Sequence, residues 1–201
     1  MTMRIAVAIS GRGSNLEALH QALEGGAAAK IVLVMSDRAD AGGLERARQW
    51  GLSTEVLPNP SDDTLWLALL RRYEVDLLVL AGYVKLVPAN VIAAYRGRIV
   101  NVHPALLPAF GGKGMYGRRV HEAVLASGAR ESGATVHLVD EAYDHGATLA
   151  QARVPVFPGD TPELLAQRVL QLEHRLLPAV ILAAAQAGRP VPVAETVESS
   201  S

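Results

Sequence analysis

The chain has 201 residues, half of them hydrophobic, a formal net charge of -1 and no cysteine. That length suits one domain with a substantial core. Near-neutrality argues against bulk nucleic-acid binding, and the missing thiols exclude a disulfide framework or a thiolate metal site. No apolar run approaches the roughly 18 residues of a membrane span, and no charged-then-apolar leader precedes the first strand-like run. A cytoplasmic protein with no membrane or nucleic-acid partner is expected.

Residues 3–9 read Met-Arg-Ile-Ala-Val-Ala-Ile, a strand covered on both faces. Ser10-Gly11-Arg12-Gly13-Ser14-Asn15-Leu16 follows, then helix formers over 17–23. Strand, glycine turn and helix make an anion-binding layout, because glycines let a phosphate approach the backbone and the helix start offers free N–H groups. Ser14 and Asn15 add side-chain donors. Two other readings stay open for this loop: a tight turn without ligand, and a dinucleotide fingerprint. For the second, Leu16 stands where a third Gly belongs, and Asp37, after the strand at 30–35, stands where a ribose-binding acid would.

Gly42-Gly43 opens a short helix over 44–50, and 53–57 is a strand candidate. Asp62 is positioned to cap a helix running to Tyr73. Residues 76–81 form another buried strand, followed by Gly82-Tyr83-Val84-Lys85-Leu86-Val87, a short helix from Pro88 to Ala94 and a strand over 99–103. Pro104 ends that strand. Asn101 and His103, two residues apart, point to one face at its end. An amide and an imidazole together suit oxyanion stabilisation and proton movement at one carbon. The ordinary alternative is a structural Asn and a buried imidazole.

Residues 109–119 hold four glycines and read as a flap-like loop, not a triphosphate loop, since no Ser or Thr follows Lys113. A helix follows over 120–126. Residues 133–139 alternate with strand period, 140–146 form a turn and 148–156 return as a strand, with no helix between the two strands. Thr161-Pro162 starts the last helix, which Pro178 should bend, freeing the carbonyl of His174. The expected fold is α/β and Rossmann-like. Its twisted, mostly parallel sheet has helices on both faces and antiparallel pairing in the C-terminal part. Residues 1–188 form one domain and 189–201 a loosely ordered tail. Ligands bind beyond the carboxyl ends of such strands, where 10–15, 82–87 and 101–103 all fall.

Four pieces, in order, resemble one family. They are Ser10-Gly11-x-Gly13-Ser14-Asn15-Leu16, Ala81-Gly82, Asn101-Val102-His103-Pro104-x-Leu106-Leu107-Pro108, and Gly133-x-Thr135-Val136-His137-x-Val139-x-x-x-Tyr143-Asp144-x-Gly146. Together they look like the folate-dependent formyltransferases, over residues 3 to about 185. The first piece, with Gln171-x-Glu173-His174, points to the branch acting on glycinamide ribonucleotide in purine synthesis. The resemblance implies 10-formyltetrahydrofolate as cosubstrate, no metal, and a monomer or homodimer. It implies a catalytic set of Asn101, His103 and Asp144, with Asp144 raising the His103 pKa so that a protonated ring faces the oxyanion. It further implies that Gly13, Ser14, Asn15 and Glu173 bind the ribonucleotide. Val84, Lys85, Leu86, Val87, Asn101, Asp140 and Asp144 would bind the folate. His121, His137 and Lys85 are second-rank candidates. Taken alone, Asp144 also suits an ordinary turn residue.

Three other functions compete. Formyltransferases acting on methionyl-tRNA or a sugar nucleotide carry a further domain, and formyltetrahydrofolate hydrolases carry an N-terminal regulatory one; neither is expected at this length. A non-catalytic nucleotide-binding module would rest on Gly11-x-Gly13 and Asp37.

Overall fold

The computed structural model describes residues 2–26 and 28–194. Within them seven strands form one sheet: β1 (Met3–Ile9), β2 (Ala29–Ser36), β3 (Thr54–Val56), β4 (Leu77–Leu80), β5 (Ile99–His103), β6 (Glu131–Leu138) and β7 (Thr148–Pro155). Their order is β3-β2-β1-β4-β5-β6-β7. The pairs among β1 to β5 are parallel, and β5–β6 and β6–β7 are antiparallel. β6 and β7 follow one another without a helix, a connection that antiparallel neighbours allow, whereas β5 and β6 are antiparallel although a helix lies between them.

Six helices join them: α1 (Ser14–Leu23), α2 (Gly42–Gln49), α3 (Asp63–Arg72), α4 (Ala89–Ala94), α5 (Arg118–Ala126) and α6 (Pro162–Ala187). Alternation along the strands assigns each face a separate core. Ile5, Val7 and Ile9 of β1 pack with Leu16, Leu19, Leu44, Val124 and the Leu165–Val169–Leu176 stripe of α6. Ala6 and Ala8 turn the other way, toward Trp66 and Leu70 of α3 and Val91 of α4. Each fully buried Leu, Ile or Val stabilises the fold by roughly 1.5–3 kcal/mol relative to exposure. These two stripes therefore fix which residues at the strand ends face which side.

The helix starts follow their capping residues. Asp62 Oδ1 accepts from Leu65 N at 3.0 Å, and Thr161 Oγ1 from Leu164 N at 3.3 Å. α1 begins at Ser14, earlier than its apolar spacing suggests, because Gly13 takes a left-handed φ of 78° and turns the chain straight into the helix. α5 begins at Arg118, shortening the flap-like loop. α6 runs through Pro178 without a break. The helix ends at Gly188 with φ 71°. Beyond it Val193 N donates to Leu149 O at 2.8 Å, so residues up to 194 lie back against β7. The rest of the expected loose tail, 195–201, falls outside the described residues.

The sheet order reverses between β1 and β4, whose backbones stay paired past the strand ends, with Ser10 N donating to Gly82 O at 3.1 Å. There the loops after β1, β4 and β5 open into a single cleft of about 980 Å3.

Candidate active site

Asn101 and His103 lie on one face of β5, as their spacing requires, with Ile99 below them in the α3/α4 core. Antiparallel pairing sets His137 of β6 opposite Asn101, and Thr135 opposite His103. Paired residues share a face, so four polar side chains meet at the cleft end of this ladder. Thr135, fully buried, holds the chain beyond His103. Its Oγ1 donates to Ala105 O at 2.6 Å and accepts from Leu107 N at 3.1 Å and Gln151 Nε2 at 2.9 Å.

Asp144 comes from the turn between β6 and β7, with a left-handed φ of 58°. Its Oδ2 lies 3.6 Å from His103 Nδ1, and its Oδ1 lies 3.5 Å from His137 Nε2. Gly112 N also donates to Oδ2 at 2.8 Å, tying the loop after β5 to the carboxylate. A Cβ on Gly111 would come within 2.5 Å of Leu107 Cδ2 and 3.1 Å of Asp144 Cβ, so any larger residue there must displace both side chains.

The ionisation of this group departs from the expectation that Asp144 raises the His103 pKa. Burial dominates at His103 and lowers it. Asp144 and the Phe110 carbonyl pull upward without overcoming that, and His137 adds to the lowering. At Asp144 burial raises the pKa, but the contacts with His137 and His103 and the Gly112 N–H together leave it low. Asp144 is thus ionised beside an imidazole that the low-polarity surroundings keep neutral. His103 Nε2 donates to Phe110 O at 2.8 Å, so Nδ1 is the nitrogen free to take a proton, on the side facing Asp144.

In the same cleft, the loop 10–15 meets α6. Asn15 Nδ2 donates to Glu173 Oε2 at 2.6 Å, with both residues buried. The Asn15 side chain, expected among the anion donors of the loop, is directed to this carboxylate instead. Its Oδ1 is buried without a partner. Burial raises the Glu173 pKa to about 7 against the opposing Asn15 hydrogen bond. The pair therefore presents acceptors that want donors such as hydroxyl or amine groups. Gly13 and Ser14 line the same cleft, beside the N-terminus of α1. Gly43 packs there against Gly13, and Gly43 N donates to Gly11 O at 3.1 Å.

The segment 82–87 lines the same cleft. Val84 and Leu86 are exposed in the cleft, and Lys85, Val87 and Asp140 also line it. Ser10 Oγ accepts from Val84 N at 3.1 Å and donates to Asp37 Oδ1 at 2.6 Å. Asp37 is therefore committed to bracing this wall, not placed as a ribose-binding acid. His121 is buried, lines the cleft and has an unpartnered Nδ1; burial first, and then His103, lower its pKa. Sequence spacing singled out none of the His137–Asn101, Asn15–Glu173 or Gly112–Asp144 contacts. The strand alternation at 133–139 did carry the signal that His137 shares a face with Thr135.

Among the described residues no group of three or more His, Asp or Glu side chains is placed to hold a metal ion, and no helix is long and apolar enough to cross a membrane. A family model described as formyl transferase matches residues 3–181. The chain is 48% identical over 186 residues to the chloroplastic phosphoribosylglycinamide formyltransferase of Arabidopsis thaliana, covering 89% of this chain and 64% of that protein. It is 39% identical over 186 residues to phosphoribosylglycinamide formyltransferase of Haemophilus influenzae, covering 89% of this chain and 85% of that one. The crystal structure of phosphoribosylglycinamide formyltransferase from Brucella melitensis superposes with a TM-score of 0.84 at 44% identity, over 96% of this chain and all of that one. The chain spans less than two thirds of the plant relatives, 64% of the Arabidopsis protein and 59% of the one from Vigna unguiculata.

Proposed function

Because the chain belongs to the formyl transferase family, we propose that it moves the formyl group of 10-formyltetrahydrofolate to the amine of glycinamide ribonucleotide. The observation that carries this reading is the meeting of Asn101, His103 and Asp144 in one cleft, with His103 Nδ1 3.6 Å from Asp144 Oδ2. Relatives that bear this activity in their names, in Haemophilus influenzae and Brucella melitensis, support it over nearly the whole chain.

The transfer makes a bond between the amine nitrogen and the formyl carbon and breaks the bond from that carbon to the folate nitrogen. Negative charge develops on the formyl oxygen, and a fixed Asn101 N–H stabilises it. The amine proton must leave and end on the folate nitrogen. Neutral His103 takes it at Nδ1, and ionised Asp144 steadies the imidazolium until the proton moves on. Gly13 and Ser14, with the free N–H groups opening α1, hold the phosphate. Glu173 and Asn15 Oδ1 accept hydrogen bonds from the glycinamide end or the ribose hydroxyls. Val84, Lys85, Leu86 and Val87 form one folate wall, with Asp140 and Asp144 opposite. The reading includes a cytoplasmic location and small-molecule substrates, supported by the absence of cysteine and the near-neutral charge.

The test follows tetrahydrofolate release by absorbance, with and without glycinamide ribonucleotide. Release only with the acceptor is expected. Release without it would mean hydrolysis, and none in either condition would leave a binding module.

A further inference from the structure

His137 sits opposite Asn101 in the β5–β6 ladder and is only 1% exposed. Its two ring nitrogens have unlike neighbours. Nδ1 lies 2.7 Å from the carbonyl oxygen of Leu138, and Nε2 lies 3.0 Å from Asn101 Nδ2. A carbonyl only accepts, so Nδ1 must carry a proton. A neutral imidazole has one N–H, which leaves Nε2 bare and able only to accept. The Asn101 amide must then face it with an N–H. Its oxygen, brought to the same place, would set two lone pairs against each other.

From this we infer that His137 is a positioning residue for the transfer. The Leu138 carbonyl fixes the tautomer of His137, the tautomer fixes which way the Asn101 amide is turned, and the remaining Nδ2–H of Asn101 is left for the cleft. Without the ring acceptor the amide is free to turn its oxygen toward the formyl oxygen, where it repels the charge it should stabilise. The other ionisable groups on this ladder end are Asp144, whose Oδ1 is 3.5 Å from Nε2, and His103. Asn101 Nδ2 is the nearer contact of Nε2, at 3.0 Å against 3.5 Å for Asp144, and so takes its lone pair. The inference rests on the proposed formyl transfer for its kinetic consequences, but not for the tautomer.

Two measurements test it. In the tetrahydrofolate-release assay, His137→Leu is expected to lower kcat about 100-fold, the usual cost of one lost oxyanion donor, with KM for both substrates within a factor of about three. In an Asn101→Ala background the same substitution should have no further effect, because both changes remove one interaction. His137→Gln keeps an acceptor and is expected to recover most of the loss. An unchanged kcat in His137→Leu, or losses that multiply in the double variant, would overturn the assignment. Nitrogen-15 NMR of the ring in the unmodified protein reads the tautomer directly, whether or not the leucine variant folds. A protonated Nδ1 with a hydrogen-bonded, bare Nε2 is expected, and a protonated Nε2, in a neutral or a doubly protonated ring, would overturn it. Failure of the unmodified protein to transfer formyl would count against the proposed function and leave the NMR result standing on its own.

Discussion

Glu173 carries a cost that its surroundings impose. Its carboxyl is buried, donated to by one amide, and has its pKa raised to about 7. Between the unfolded value of 4.5 and about 7 the folded chain binds the extra proton, so stability falls as pH rises across that window and stays reduced above it. The effect is on the order of 3 kcal/mol. Glu173→Gln keeps the acceptor for Asn15 and loses the charge. Thermal unfolding is expected to show a higher Tm at pH 8 than the unmodified chain and a flatter profile between pH 5 and 8, while KM for the ribonucleotide rises at least tenfold. An unchanged Tm-against-pH curve would mean that Glu173 is not ionising in a buried site. His103→Ala and Asp144→Asn should each lower kcat by roughly 10²–10⁴-fold with little change in far-UV circular dichroism. Wild-type turnover in either would remove the proton path through His103. Since burial lowers the His103 pKa, the acid limb of the kcat profile is expected below the ordinary imidazole range. Its loss in His103→Ala checks the assignment. Asn101 and His103 were legible from the chain because a strand repeats every two residues. The ionisation of His103 was not. A neighbouring carboxylate is visible as a letter, but the desolvation that outweighs it depends on every element packed around the ring.

At the scale of elements, the site depends on glycines that let backbones meet. Gly146 ends the turn that presents Asp144, and a Cβ there would fall 1.7 Å from Leu138 O. Gly133 is similar, with its Cβ position 2.0 Å from Ala152 O in the β6–β7 pairing. Gly146→Ala must push the turn off the strand. We expect a destabilisation of about 1–3 kcal/mol and a fall in kcat larger than in Gly133→Ala, which strains the sheet away from the cleft. Comparing Tm with kcat in the two variants separates fold from site. Equal kcat losses would show that the turn does not position Asp144. Element identity was largely readable, down to the Asp62 and Thr161 caps. Register was not. Asn101 and His137 are 36 residues apart and Asn15 and Glu173 are 158 apart, and nothing local in either segment says which partner the other will find.

Across the whole molecule, one topological fact organises the chemistry. The strand order reverses between β1 and β4, and the loops after β1, β4 and β5 open there into one cleft. The antiparallel pair β6–β7 then brings the acid, from a turn 41 residues beyond His103 in sequence, to the same cleft. The parallel part could be inferred from alternating strands and helices, and so could the place where ligands bind. Which side chains touch inside the cleft was not readable: the His103–Asp144 approach and the Asn15–Glu173 pair depend on how distant elements pack. Most directly, the protein would be supplied with folate carrying carbon-13 in its formyl group, together with glycinamide ribonucleotide, and the products followed by NMR. The label is expected in a formamide on the ribonucleotide amine, in step with tetrahydrofolate release. Label appearing as free formate, or remaining on the folate, would contradict formyl transfer at this site.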